Sequence, residues 1–301
     1  MTSCLTMQES TAVRAIWEQL GLPGIVDVHT HFMPKRVMDK VWQYFDAAGP
    51  LVGRVWPITY RTEEADRLET LRSFGVRAFT SLVYPHKPGM AAWLNQWAAQ
   101  FAATTPDCLA TATFYPEPGA DEYVTAAIDG GTRVFKAHVQ VGDYDPADPL
   151  LDGVWGVIAE AQTPIVIHCG SGPQPGNYTG PESIKAVLAR HPRLRLIVAH
   201  LGMPEYGDFL ALAEKYPEVR LDTTMAFTPF VEELMPFPSS ELSRLVALGD
   251  RILFGSDFPN IPYGFLDAMR VLTALDGIDD DWLRGVFHDN AARLFGLTTH
   301  S

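Results

Sequence analysis

The sequence contains few cysteines, no long apolar run and a deficit of positive charge. Its three cysteines are widely spaced and odd in number, so we expect no disulfide framework and a reducing compartment. No uninterrupted apolar stretch approaches the roughly 20 residues of a membrane-spanning helix, and the first residues lack the basic and apolar regions of a secretory signal. We therefore expect a cytoplasmic protein that binds no membrane. Because the formal net charge is -13 at pH 7, we expect no nucleic-acid partner either.

The composition indicates a globular protein with a large core. Of the 301 residues, 47% are hydrophobic and 20% are charged, which are the proportions of an ordinary folded domain. A chain of this length fits either two domains or one α/β barrel, since barrels of about 250 residues fold as a single unit. No shift in composition, charge run or low-complexity linker marks a boundary. We therefore predict one barrel domain over residues 25–301, preceded by an N-terminal helix and lead-in over residues 1–24.

Apolar strand patterns alternate with helix patterns along the chain. Each predicted strand is followed by a helical pattern before the next strand begins, which is typical of parallel βαβ units. This α/β alternation predicts a single (β/α)8 TIM barrel, with a long first βα loop that extends to residue 61 and an extra C-terminal helix. The predicted strands span residues 25–31, 76–83, 108–115, 133–140, 165–169, 194–200, 219–224 and 252–257.

Four predicted strands end in histidine or aspartate. Strand one ends in His29 and His31, strand five in His168, strand six in His200 and strand eight in Asp257. The active sites of TIM barrels lie at the carboxyl ends of the strands. Imidazoles and a carboxylate that meet at this edge are predicted to hold one divalent metal ion, with Zn²⁺ as the first candidate and Mn²⁺, Fe²⁺ or Co²⁺ as alternatives.

Predicted strand four carries polar residues at alternate positions. Lys136, His138 and Gln140 are all expected to face the barrel interior. His138 lies nearer the strand end and is the better candidate for contact with a substrate. Lys136 lies deeper, where it is either carboxylated and bridges two metal ions or is paired with an inward acid such as Asp27.

The long first loop offers two candidate clamps for a substrate carboxylate, Arg54 and Arg61. A guanidinium group pairs with a carboxylate through two parallel hydrogen bonds, which makes arginine the usual choice for this task. Asp222 on predicted strand seven is expected to orient a histidine of the site. We therefore expect a small-molecule substrate that carries a carboxylate.

Four motifs taken together resemble the amidohydrolase superfamily. They are Val-Asp-Val-His-Thr-His on strand one, Ile-His-Cys-Gly on strand five, Ala-His-Leu-Gly-Met on strand six and Phe-Gly-Ser-Asp-Phe-Pro on strand eight. More narrowly, the chain resembles the amidohydrolase-related branch that includes aminocarboxymuconate semialdehyde decarboxylase. The closing Asp-Asn-Ala-Ala-Arg-Leu-Phe-Gly is similar to the last helix of that branch.

The resemblance implies a mononuclear site in which His29, His31, His168 and Asp257 bind the metal, with His200 beside the metal-bound water. His200 is then expected to take a proton from that water or to stabilise developing charge, and Asp257 to pass a proton to a leaving group. Relatives commonly dimerise, so the resemblance also implies a homodimer.

Two reactions fit such a site. The first is hydrolysis of a C–O or C–N bond in a small substrate by an activated water. The second is non-oxidative decarboxylation of a small aromatic or muconate-type carboxylic acid. Decarboxylation needs a cation for the departing carboxylate, and Arg54 and Arg61 are weak candidates, so hydrolysis is predicted first. A barrel that binds a metabolite without turnover is a third alternative, and it predicts either a low metal content or a metal with no open coordination position.

Overall fold

A computed structural model describes residues 2–297 of the chain and, within that range, the side chains from Met7 onward. Cys4 and the last four residues therefore lie outside the described side chains. The chain divides into two compact units, the first formed by Met1–Phe79 with Thr223–Ser301 and the second by Thr80–Asp222. The single domain expected for residues 25–301 stays a prediction.

Short strands alternate with helices throughout the described residues. The strands are β1 Ile25–Asp27, β2 Val76–Thr80, β3 Cys108–Leu109, β4 Thr111–Thr113, β5 Val134–His138, β6 Ile165–His168, β7 Leu196–Val198, β8 Val219–Asp222 and β9 Ile252–Leu253.

The helices of the first unit include the N-terminal helix and those that follow β1, β8 and β9. Their bounds are Thr2–Gln19, Lys35–Ala47, Gly49–Val52, Glu64–Ser73, Pro229–Glu232, Leu242–Ala247, Phe265–Thr273, Asp280–Arg284 and Asn290–Phe295, with 3-10 turns at Ser239–Glu241 and Gly249–Arg251 and a π-helical turn at Gly285–Asp289.

The helices of the second unit separate its strands. Their bounds are Ala91–Thr104, Ala120–Asp129, Val139–Gly142, Asp152–Ala161, Pro181–Arg190 and Tyr206–Lys215, with 3-10 turns at Pro149–Leu151 and Ala199–Gly202. Among residues 2–297, none of these helices or those of the first unit combines the length and the apolar character needed to cross a membrane.

In the first unit, β1 pairs in parallel with β2, and Asp27 lies opposite Phe79. Beyond β1, the backbone of residues 28–31 hydrogen bonds to the segment that follows β9. The Val28 amide donates to the Phe254 carbonyl at 3.0 Å, and an isolated parallel bridge joins Thr30 to Phe258. The residues that follow β1 and β9 are thereby held side by side.

The second unit contains a parallel sheet in the order β4-β5-β6-β7-β8. The register of β5 against β6 sets His138 directly opposite His168. Ile165, Val166 and Ile167 of β6 are fully buried, as expected for a parallel strand that is covered on both faces. Strands of this kind position polar side chains where the chain leaves the apolar core.

An aromatic cluster in the first unit includes Phe32, the residue that follows His31. Phe32 packs against Phe79, with ring centroids 5.2 Å apart, and against Phe258 at 6.4 Å. The Tyr60 ring packs at a tilt of 43° against Phe258, with centroids 4.8 Å apart. Buried aromatic rings stabilise the fold by the apolar area that they remove from water and by their ring–ring contacts.

Every predicted strand ends earlier in the structure than its apolar pattern suggests, and two of them show a reason. The strand predicted for residues 194–200 stops at Val198, and the strand predicted for 252–257 stops at Leu253. His200 and Asp257 have φ values of 57° and 66°, which lie in the left-handed region and are incompatible with a strand. Hydrophobicity alone does not reveal such a change of backbone conformation.

The prediction that Gln140 faces the barrel interior from a strand is wrong. The strand ends at His138, and residues Val139–Gly142 form one helical turn. The His138 imidazole caps this turn, because its Nδ1 accepts a hydrogen bond from the Val141 amide at 3.3 Å. The alternation of polar residues therefore stops at His138.

Candidate metal centre

His29, His31 and Asp257 form a buried cluster in the first unit. One ligand atom from each residue lies within 4.8 Å of the others. His31 Nε2 is 2.9 Å from Asp257 Oδ1, and His29 Nε2 is 3.7 Å from the same oxygen. The two imidazole rings meet edge to face with centroids 5.2 Å apart. Three of the predicted metal ligands thus converge on one point.

The backbone between the two ligand-bearing segments explains this convergence. The Asp257 amide donates to the His29 carbonyl at 2.8 Å, and the His31 amide donates to the Phe258 carbonyl at 2.7 Å. The segments therefore continue a parallel pairing past the ends of β1 and β9. The His29 and His31 side chains, two positions apart, project on the same side of this pairing.

Asp27 accepts backbone hydrogen bonds from both segments. Its Oδ1 accepts hydrogen bonds from the His29 and Ser256 amides, each at 3.1 Å. The Asp27 side chain is fully buried, so these amides have no access to bulk water as an alternative partner. Asp27 thus fixes the backbone beside the cluster on both sides.

Asp257 adopts a backbone conformation that few residues accept. Its φ of 66° costs roughly 1–2 kcal/mol for a residue with a Cβ atom, although aspartate and asparagine tolerate it best. Strained backbone of this kind persists where the surrounding structure enforces it, and it is common at functional sites. Here two bonds enforce it: the bond from the Asp257 amide to the His29 carbonyl and the bond from the His31 amide to the Phe258 carbonyl.

The donor set of the cluster suits a divalent metal ion. Two imidazole nitrogens and one carboxylate oxygen are the ligands found in catalytic zinc sites, and they also suit Mn²⁺, Fe²⁺ and Co²⁺. All three side chains are buried. A shared cation would offset the cost of burying the Asp257 carboxylate. The residues therefore fit the predicted metal.

Three further histidines lie together in the second unit. The rings of His138 and His168 stack with centroids 4.2 Å apart and an interplanar angle of 15°. His200 lies next to His168, with ring centroids 4.7 Å apart. These contacts follow from the register of β5 and β6, which brings two of the histidines opposite each other. The predicted site residues of this unit therefore form a cluster of their own.

Hydrogen bonds to the backbone define the orientation of two of these residues. His168 Nε2 lies 2.9 Å from the Gly172 carbonyl. A carbonyl only accepts, so Nε2 is the donor in this contact. The His200 amide donates to Asp222 Oδ1 at 2.8 Å. Asp222, expected to orient a histidine, thus holds the backbone of His200.

Lys136 is fully buried on β5, two residues before His138. Its carbonyl accepts a hydrogen bond from the Thr113 hydroxyl at 2.7 Å. The two alternatives for its side chain, carboxylation or pairing with an acid, stay open as predictions.

Arg54 and Arg61 both pair with carboxylates of the first unit. Arg61 binds both oxygens of Asp46, at 2.6 and 2.9 Å, and this pairing lowers the pKa of Asp46. Arg54 donates to Glu233 and to the Phe230 carbonyl, both at 2.9 Å, and lies 4.1 Å from the Phe230 ring. A substrate carboxylate would have to displace these partners.

The structure also reveals residues that the sequence did not identify. Asn260, three positions after Asp257, accepts hydrogen bonds from the indoles of Trp42 and Trp56 at 3.0 and 2.7 Å. The hydroxyl of Tyr263 is buried in the same segment. The only sequence signal for either is proximity to Asp257 in Asp-Phe-Pro-Asn-Ile-Pro-Tyr.

Comparisons with known proteins identify the family of this chain. The family model described as Amidohydrolase matches residues 26–297. A search of curated proteins finds no match. Among solved structures, an uncharacterized TIM-barrel protein from Bordetella bronchiseptica is 19% identical with a TM-score of 0.71, and the match covers 91% of this chain and 98% of that one.

Two structures with named activities are also similar. A 5-carboxyvanillate decarboxylase from Novosphingobium aromaticivorans, complexed with manganese and 4-hydroxy-3-methoxy-5-nitrobenzoic acid, is 15% identical with a TM-score of 0.59, and the match covers 92% of this chain and 97% of that one. A candidate 2-pyrone-4,6-dicarboxylic acid hydrolase from Pseudomonas putida is 16% identical with a TM-score of 0.58, and the match covers 91% of this chain and 98% of that one.

These likenesses show the fold, and they confirm the α/β class and the TIM-barrel fold predicted from the alternation of strands and helices. The family match covers nearly the whole barrel prediction. The chain belongs to the amidohydrolase family.

Proposed function

We propose that this protein is a metal-dependent hydrolase that cleaves a C–O or C–N bond in a small substrate. The observation that carries the proposal is the buried cluster of His29, His31 and Asp257, whose ligand atoms lie within 4.8 Å of one another. A divalent ion bound there would polarise a substrate carbonyl and make a water molecule nucleophilic near neutral pH.

The proposed ligand set also includes His168, and this extension rests on the sequence pattern at the strand ends. The bond from His168 Nε2 to the Gly172 carbonyl supports it, because such a bond orients the ring and leaves Nδ1 as the nitrogen that would bind the ion.

Two residues are proposed to move protons. His200 acts as the general base, since the imidazole is the side chain that exchanges protons near neutral pH. Its backbone bond to Asp222 holds it in place. The Asp257 carboxylate, which would also hold the ion, is proposed to pass a proton to the leaving group. His138, stacked on His168, is proposed to contact the substrate.

The substrate is proposed to be a small molecule with a carboxylate. The similar structures support this class, because one is complexed with a nitrobenzoic acid and another is named for a pyrone dicarboxylic acid. Zn²⁺ is the first proposed metal on ligand chemistry. Manganese is the alternative, since the decarboxylase structure is complexed with it.

Decarboxylation of an aromatic acid is the second candidate function. The similarity to a 5-carboxyvanillate decarboxylase favours it. Hydrolysis ranks first because Arg54 and Arg61, the proposed cations for a departing carboxylate, already pair with Glu233 and Asp46. Their role as substrate clamps stays a proposal that turnover measurements can test.

One experiment separates the two functions. Purified protein loaded with Zn²⁺ or Mn²⁺ would be assayed with 2-pyrone-4,6-dicarboxylate, by loss of ring absorbance, and with 5-carboxyvanillate, by release of carbon dioxide. We expect ring opening that His200→Ala abolishes and that His86→Ala, at an exposed position, leaves unchanged. Carbon dioxide release without ring opening would reverse the order of the two functions.

Cytoplasmic location and a homodimer are proposed from the sequence alone. The oligomeric state can be measured by sedimentation velocity of the metal-loaded protein. A single species with the mass of one chain would contradict the homodimer.

A further inference from the structure

Two loops of the second unit begin at predicted site histidines. One follows His168, the last residue of β6, and the other starts with the 3-10 turn that contains His200. The rings of these two histidines are neighbours, with centroids 4.7 Å apart. The position of one loop against the other therefore sets the position of one ring against the other.

The two loops are in direct backbone contact. A Cβ atom at Gly170 would overlap the Met203 carbonyl oxygen, so only glycine permits this approach. His168 Nε2 donates to the Gly172 carbonyl at 2.9 Å, and the Gly172 amide donates to the Met203 carbonyl at 3.0 Å. The Met203 amide in turn donates to the His200 carbonyl at 3.0 Å. A chain of hydrogen bonds thus connects the ring of His168 with the backbone of His200.

Glu205 adds a side-chain bond between the same two loops. Its Oε2 accepts from the Ser171 amide at 3.0 Å. Glu205 directly precedes the helix Tyr206–Lys215, a position from which a side chain commonly caps the first amides of its own helix. Within the described part of the chain, the Glu205 side chain forms no such cap. It bonds instead to the loop that orients His168.

The bond to Ser171 restrains the peptide group that orients His168. A hydrogen bond from a backbone amide to a carboxylate is stronger than one between neutral groups, and both Glu205 and Ser171 are half-buried, which reduces competition from water. Because the amides of Ser171 and Gly172 are both bonded to the His200 loop, the Gly172 carbonyl has little freedom to turn away from the His168 ring.

We propose that Glu205 is a positioning residue, which holds the His168 ring in place beside His200 through its bond to the Ser171 amide. This inference rests on the proposed function, in which His168 binds the metal ion and His200 is the general base. Groups that orient a metal-binding histidine typically change metal affinity or activity 10- to 100-fold when they are lost. Glu205 acts one bond further out, through the backbone of residues 171–172.

The test compares three variants of Glu205 with one control. Glu205→Ala removes the acceptor, Glu205→Gln retains an oxygen at the same reach, and Glu205→Asp retains the charge on a shorter side chain. Glu117→Ala is the matched control, because the half-buried Glu117 side chain also accepts a loop amide of the second unit, from Gly89 at 2.6 Å.

Three measurements would be made on each protein. The histidine ring resonances would be recorded by NMR on metal-free protein and assigned with His168→Gln and His200→Gln. The values of kcat and KM would be measured separately with 2-pyrone-4,6-dicarboxylate on manganese-loaded protein. The unfolding midpoint would show which variants are folded.

We expect Glu205→Ala to shift the ring resonances of His168 and His200 and to lower kcat roughly 10- to 100-fold. KM should change less, because a misplaced group costs transition-state stabilisation more than substrate binding. Glu205→Gln should restore the resonances and most of kcat, since its amide oxygen accepts the same bond. Glu117→Ala should leave the resonances and kcat unchanged, whatever its effect on the unfolding midpoint.

Two results would overturn the inference while the wild type is active. The first is unchanged His168 and His200 resonances, or an unchanged kcat, in folded Glu205→Ala. The second is an equal loss of kcat in Glu205→Ala and Glu205→Gln, because the hydrogen-bond acceptor would then not be the property that matters.

The resonances need neither metal nor substrate, so they decide the inference separately from the proposed function. A wild-type protein that releases no product from the pyrone would contradict the proposed function and leave the resonance comparison in force. If Glu205→Ala does not fold, Glu205→Asp replaces it. Shifted His168 and His200 resonances in folded Glu205→Asp would then support the positioning role, and unchanged resonances would overturn it.

Discussion

Trp42 donates its indole N–H to the side-chain oxygen of Asn260 at 3.0 Å, although the two residues are 218 positions apart in the chain. Trp56 donates to the carbonyl of the same asparagine. The long loop after β1 is thus bonded to the segment that follows Asp257. We infer that these two parts of the first unit fold together and lose their order together.

Replacement of Asn260 by alanine should therefore destabilise the protein. The change leaves the buried Trp42 indole N–H without an acceptor, which costs about 1–3 kcal/mol. Urea denaturation followed by circular dichroism measures this loss. Asn177→Ala is the control, since the Asn177 side chain bonds Asp143 at an exposed position. An unchanged unfolding midpoint for Asn260→Ala would contradict the role assigned to this residue.

Metal content should depend on the buried cluster. We expect purified protein to contain close to one divalent ion per chain, and His31→Ala and Asp257→Asn to lose most of it, because each variant removes a ligand of the proposed set. Elemental analysis by mass spectrometry measures the content directly. His86→Ala, which removes an exposed histidine, should retain the metal. Full stoichiometry in both cluster variants would remove the proposed site.

Asp27→Ala should destabilise the folded protein even in the absence of metal and substrate. The buried carboxylate bonds the amides of His29 and Ser256, so its loss leaves two donors without this acceptor at an expected cost on the order of 2–4 kcal/mol. Chemical denaturation of the metal-free protein measures this cost without any contribution from metal binding. Asp46→Ala, which breaks an exposed pair with Arg61, should shift the midpoint far less.

Stability should fall in mild acid through His288. Its Nδ1 lies 3.0 Å from the Gly24 carbonyl. Burial lowers the pKa of His288 below the ordinary value of 6.5. Asp289 and the bond to Gly24 act to raise this pKa, while Arg77 lowers it slightly further. The unfolded chain therefore binds this proton more readily than the folded one. Stability is lost as pH falls from about 6.5 through the folded pKa, and it is regained on return to neutral pH.

Denaturation midpoints between about pH 7.5 and pH 5 check this expectation. His288→Gln should flatten the pH dependence over that window, because it removes the group whose pKa differs between the two states. His191→Gln, at a histidine that pairs with Asp152 near the surface, should preserve it. An equally steep dependence in His288→Gln and the wild type would assign the effect to other groups.

The helices and the order of elements were predictable because their signals are local. The pattern predicts a helix over residues 206–215, and the structure has Tyr206–Lys215. The helix predicted over residues 35–48 ends one residue earlier, at Ala47. In both cases apolar spacing and flanking residues define the element without reference to the rest of the chain.

The ends of the strands were less predictable, because their conformation depends on distant partners. Apolar residues continue past Val198 and Leu253, but His200 and Asp257 turn into the left-handed region. Backbone bonds from the segment at His29 to the segment at Asp257 join residues more than two hundred positions apart. No local pattern encodes such a bond.

The same distinction applies to the candidate site. His29, His31 and Asp257 were predicted because an ionisable residue at the end of an apolar strand is a visible signal. Asn260 and Tyr263 carry no such signal: the importance of each depends on what lies opposite it in the folded chain. Polar residues are common in turns, and Asn260 and Tyr263 differ from the others only in how their polar atoms are buried and bonded.

The left-handed backbone at Asp257 limits which mutations at this position the fold can survive. Asparagine and glycine adopt a φ of 66° with little penalty, whereas β-branched residues do not. A saturation library at position 257 should therefore yield well-folded variants mainly as Asn and Gly, and neither preserves the carboxylate charge. Aspartate therefore combines tolerance of this backbone conformation with a carboxylate charge, which neither asparagine nor glycine offers.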